Sequence, residues 1–186
     1  MGTTSSWLVC DAEHLEDVKG LLGVTDKPEG REPEFSAFVS SRGQLLVFEC
    51  RGGREWRFDG EEERRRLSVG REVIFCTLVT SVDWSEIAQW KDGEEVWRVS
   101  CLLESGDGLE VRGEVPECLE RVKREVGEDE DGEPDEFSVP MALARELTGF
   151  DGEGDGAEEW GKPMEWVGPE REVKRGWFAR WCGGKR

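Results

Sequence analysis

The chain has 186 residues, 43 of them Asp or Glu and 25 Lys or Arg, which gives a formal net charge of -18 with its single histidine neutral. Apolar residues make up only 36 %, but nine Trp and eight Phe compensate, because each large ring buries a wide area. The length suits one ordinary domain; the charge repels phosphate and excludes nucleic acid as a ligand of the main body; the lack of about 18 consecutive apolar residues excludes a membrane-spanning helix.

Trp7-Leu8-Val9-Cys10 reads as a first strand, with Asp11 as N-cap of a helix. Ala12, Leu15, Val18, Leu21 and Leu22 fall at helical spacing, and Gly23 is its stop. Residues 25 to 34 hold Pro28, Gly30 and Pro33 and read as a loop. Phe35 to Val39 and Gln44 to Cys50 are strand-like, joined by a Ser40-Ser41-Arg42-Gly43 turn, and Trp56 and Phe58 resume a strand. Glu61 to Leu67 is a short helix, acidic first and basic after, with its arginines paired to its own glutamates.

Glu72 to Val82 is apolar on both alternating faces, which predicts a central strand. Glu86 to Trp90 and Glu95 to Cys101 form a hairpin about Asp92-Gly93, with Val96, Arg98 and Ser100 on one face and Trp97, Val99 and Cys101 on the other. Leu109 to Arg112 reads as an edge strand. Pro116 opens a helix with Leu119, Val122 and Val126 on one stripe, ended by Gly127, and Ser138 caps another that runs to Gly149. The acidic run from Glu128 to Glu136 between them is a solvated loop.

Composition places an α+β domain over residues 1–150, an acidic Gly-rich linker over 151–159 and a basic Trp-rich tail over 160–186. The tail carries seven Lys or Arg against three Asp or Glu, a local net of +4, and the expectation is that it folds back on the acidic body.

Chemistry-bearing motifs are sparse. The start Met-Gly-Thr-Thr-Ser-Ser has neither a basic run nor an apolar stretch, which fits a cytoplasmic protein. Five of the six cysteines are then expected as buried thiols, with Cys182 exposed. Asp151 to Gly156 has the alternating acids of a calcium loop, but Lys162 stands where a bidentate glutamate is needed. No metal or cofactor site is expected, and His14 reads as a surface residue. Asp83 and Glu86 flank Trp84 as the least random carboxylate pair, read as a rim contact or solvated acids. With Trp90, Asp92 and Glu94 they make a candidate partner-binding set: carboxylates steer a basic protein, and aromatic rings supply affinity.

Gly70-Arg71-Glu72-Val73, Cys76 and the hairpin Trp90-Lys91-Asp92-Gly93-Glu94-Glu95-Val96-Trp97 resemble an uncharacterised family of small bacterial cytoplasmic proteins, in which a W-x-D-G-x-x-V-W hairpin follows such a strand. Val139 to Phe150 is similar to that family's closing helix; the resemblance spans roughly residues 5 to 150 and brings no activity with it. The resulting expectation is an α+β fold with a mainly antiparallel sheet of about six strands and flanking helices. The expected role is a non-enzymatic acidic binding protein, in concrete form an immunity-type inhibitor of a basic toxin such as a nuclease. The alternatives are a small enzyme using Asp/Glu chemistry and a scaffold subunit docking through its basic tail.

Overall fold

A computed structural model describes residues 4–50, 58, 60–103, 108–128, 132, 134–152 and 160–168. Its strands are β1 (Thr4–Asp11), β2 (Thr25–Asp26), β3 (Phe35–Val39), β4 (Gln44–Glu49), β5 (Glu72–Val79), β6 (Trp84–Lys91), β7 (Glu94–Leu102), β8 (Leu109–Gly113) and β9 (Met164–Val167). Its helices are α1 (Leu15–Leu22), α2 (Glu61–Leu67), α3 (Leu119–Val126) and α4 (Val139–Thr148). The strands form one sheet in the order β2-β9-β3-β4-β1-β5-β6-β7-β8, and every neighbouring pair is antiparallel.

The sheet-dominated α+β architecture is as expected, but the described residues form nine strands, not about six. Two of the additions have a clear cause. Thr25–Asp26 is too short to show any periodicity, and Met164–Val167 lies in the segment assigned from composition to the tail. β9 sits between β2 and β3, pairing Trp166 with Phe35 and with Asp26, and buries Trp166 fully. Residues 169–186 and 153–159 lie outside the described residues, as does Trp56.

Each face of the sheet carries its own core. On one, Trp7, Val9, Leu46, Cys76, Ile87, Trp97 and Val99 pack under α3 and α4 through Leu119, Val122, Leu143 and Ala144. Trp7 meets the edge of Phe150 at 5.3 Å between ring centroids. Gly152 lies against the same indole: a Cβ there would stand 2.7 Å from Trp7 Cη2. On the other face, Leu8, Leu45, Val47, Val73, Phe75 and Trp90 pack under α1 and α2 through Val18, Leu22 and Leu67.

Local signals act mostly as read. Gly23 and Gly149 close α1 and α4 in the left-handed region at φ 65° and 80°. Two expected caps differ. Asp11 makes no side-chain cap, and a 3-10 turn (Ala12–His14) precedes α1. Ser138 also makes no side-chain cap; its own N–H donates to Asp135 Oδ1 at 3.1 Å. Cys10, Cys76 and Cys101 are buried thiols and Cys118 is half-buried, but Cys50 is exposed, because β4 ends beside it.

Candidate functional site

The site is built where α2 crosses the β6–β7 hairpin. The turn between these strands is tight: Asp92 and Gly93 both take positive φ, 51° and 83°, the type I′ geometry that Asp-Gly favours. The Asp92 carboxylate accepts from the Gly70 N–H at 3.2 Å, tying the turn to the end of the α2 segment. Beside it the register shifts: Gln89 pairs with Trp97 and Trp90 with Glu95, leaving Val96 as an extra residue. In a regular strand Glu95 and Arg98 would face opposite sides. The bulge turns Glu95 onto the face of Arg98, and Arg98 Nε donates to Glu95 Oε2 at 2.9 Å.

Beneath this lies a buried charge network. Arg65 and Arg66 pair with Glu61 and Glu63 on their own helix, as the charge order predicts. Arg64 does not. It shares the inward stripe of α2 with Leu67, and its side chain is 2 % exposed. Its Nε donates to the Phe58 carbonyl at 2.6 Å, and its guanidinium lies 5.5 Å from the Phe75 ring centroid. Its Nη1 stands 2.6 Å from Glu86 Oε1, and Arg98 Nη1 stands 3.3 Å from Glu86 Oε2. The Arg64–Glu86 contact is close in distance but off the angle of a hydrogen bond, and among the described residues neither Glu86 Oε1 nor Arg64 Nη2 has a hydrogen-bond partner. Burial works against the Arg98 charge, yet the carboxylates of Glu86, Glu95 and Glu110 outweigh it and hold its pKa above the ordinary arginine value.

Two hydroxyls extend the network along one row of the sheet. Ser6 is the cross-strand partner of Thr77, and Thr77 of Glu86. Ser6 Oγ and Thr77 Oγ1 are buried and, like the Arg64 and Glu86 atoms, lack hydrogen-bond partners among the described residues. Above the network, α2 and the hairpin enclose a groove of about 660 Å³ lined by Glu61, Arg65, Trp90, Glu94, Arg98 and Arg112 among others. Arg98 belongs to both, since it lines the groove and its guanidinium touches Glu86.

The six sequence candidates fall in three places. Asp83 is exposed in the turn before β6, at φ 47°, with Trp84 half-buried beside it. Glu86 and Trp90 are buried, so Glu86 is neither a rim contact nor a solvated acid. Trp90 and Glu94 line the groove, as does Asp92, and both acids are exposed. The groove end and the Asp83 end stand apart by the eight residues of β6, about 25 Å of extended chain. Sequence reasoning missed Arg64, Arg98, Ser6 and Thr77. One signal was present: period-2 spacing puts Glu86 on the inward face of Ala88 and Trp90, where a carboxylate needs a buried cation.

Asp11, Glu13 and His14 bring one ligand atom each within 4.8 Å at the 3-10 turn, but two are exposed acids, and we read the group as a charged turn. Comparison with known proteins finds no matching family model, no matching curated protein and no matching solved structure.

Proposed function

We propose that the protein is a non-enzymatic binding protein that captures a basic protein partner at the groove between α2 and the β6–β7 turn. The observation that carries this reading is the division of charge there. The exposed acids Asp92 and Glu94 stand at the rim, while the buried Glu86 is committed to two arginines. Among the described residues Glu86 is the one buried carboxylate, and both its oxygens face arginines. It has no second buried acid beside it, which weighs against acid–base catalysis by paired acids. The net charge of -18 speeds encounter with a cation-rich surface.

The concrete form is an immunity-type inhibitor: rim carboxylates occupy the phosphate-binding cations of a partner such as a basic nuclease and block its site by bulk. The test is binding to a panel of purified basic nucleases by calorimetry, using Asp92→Asn/Glu94→Gln and, as a control of equal charge change, Glu13→Gln/Glu16→Gln on the α1 side. A nanomolar-to-micromolar complex weakened by the groove pair and not by the control supports the reading. Equal weakening by both pairs, or no complex with any member, overturns it.

A further inference from the structure

One edge of the sheet is short and the other is not. β2 offers two residues, Thr25–Asp26, as an outer edge, whereas β8 offers five, Leu109–Gly113, with Val111 42 % exposed. Among the described residues no strand pairs with the outer side of β8, and its outward N–H and C=O groups, apart from the Leu109 N–H that donates to Glu136 Oε2 at 3.0 Å, are a template for another strand unless something repels it. Here the charges do not repel a second copy. Glu110 and Arg112 sit either side of Val111 on one face of the strand, 52 % and 60 % exposed, with opposite signs.

We propose that β8 pairs antiparallel with β8 of a second copy of this chain, about a two-fold axis at Val111. In that register Glu110 lies opposite Arg112 of the second copy, and Arg112 opposite its Glu110, so one strand supplies both halves of two ion pairs. Val111 meets its own counterpart on the other face, the side covered by α3 and α4. Arg112 is the cross-strand partner of Arg98 and within the chain already pairs with Glu110 of its own strand at 2.6 Å. Glu110 of the second copy adds an anion on the outer side of Arg112, where the single chain offers none opposite it.

Five residues of edge bury far less than a standard interface, so the dimer is weak and dissociates on dilution. At physiological salt the mutual repulsion of two chains at -18 is screened beyond about 8 Å, and the cross-strand pairs act inside that range.

The experiment is sedimentation velocity over a dilution series on the full chain, Glu110→Arg, Arg112→Glu and the double reversal Glu110→Arg/Arg112→Glu. The wild type is expected to shift reversibly from dimer to monomer. Each single change makes both pairs repulsive at once and weakens dimerisation about tenfold, and the double reversal restores it. A wild type that stays monomeric throughout, singles that dimerise as well as wild type, or a double reversal no better than the singles overturns the proposal.

Discussion

The two faces of this sheet bury similar sets of aliphatic and aromatic residues but are held in different ways. Under α3 and α4 the contacts are mostly apolar, with the Ser85 hydroxyl donating to the Phe137 carbonyl at 2.6 Å, and among the described residues of this core the side-chain polar atoms left without partners are two indole N–H groups, those of Trp7 and Trp160. Under α1 and α2 an arginine, a glutamate and two hydroxyls are buried among the same kinds of side chain. The first face depends on area, which is non-directional and forgiving. The second depends on matched charges, where losing one partner strands the other in a poor solvent.

The sharpest way to break the contrast is at Glu86. Glu86→Leu leaves Arg64 buried without its anion and is expected to destabilise the fold by about 3–5 kcal/mol in urea titration. Arg64→Met together with Glu86→Leu is expected to recover most of that loss, since an apolar pair of similar bulk needs no desolvation of charge. A double variant as weak as the single would mean that the network holds the face through more than its charges. On the other face Leu143→Ala, at a fully buried position, is expected to cost about 2–5 kcal/mol through lost area and a cavity. No second change at a single neighbour should rescue it.

A pH test sharpens the comparison from below. Burial, the largest influence, pushes the Cys10 thiol from 9.0 to about 12, against the opposing pull of Arg71. The folded chain thus keeps this proton where the unfolded chain loses it. Its contribution is whole below about pH 9 and drains away as pH climbs toward 12. Cys10→Ala should flatten the fall of the urea midpoint above pH 9.0, and an unchanged slope would count against burial as the cause. Smallest of all, Arg65→Ala removes an exposed pair with Glu61 and should shift stability by less than about 0.5 kcal/mol.

How much of this was legible depends on whether the signal was local. β5 reads directly as a central strand because both alternating faces are apolar, and Asp92-Gly93 marks the β6–β7 turn by backbone preference alone. The helices under the first face follow from the Leu119–Val122 stripe and from Gly149. The network under the second face was not legible. Three consecutive glutamates beside three arginines offer a complete local explanation of the charge in α2, and nothing in that run singles out Arg64 as the one turned inward. The bulge at Val96 is equally silent, although it decides that Glu95 faces Arg98. β9 was hidden by its surroundings, where basic residues and tryptophans outweigh four strand residues.

The place of β9 has a consequence for synthesis on the ribosome. Met164–Val167 emerges long after the strands on either side of it, yet it fills the gap between Thr25–Asp26 and Phe35–Val39. Until then β3 shows a bare flank and β2 has no neighbour at all. The nascent chain therefore carries an adhesive margin through most of translation, and a chaperone that shields extended segments has its best target there.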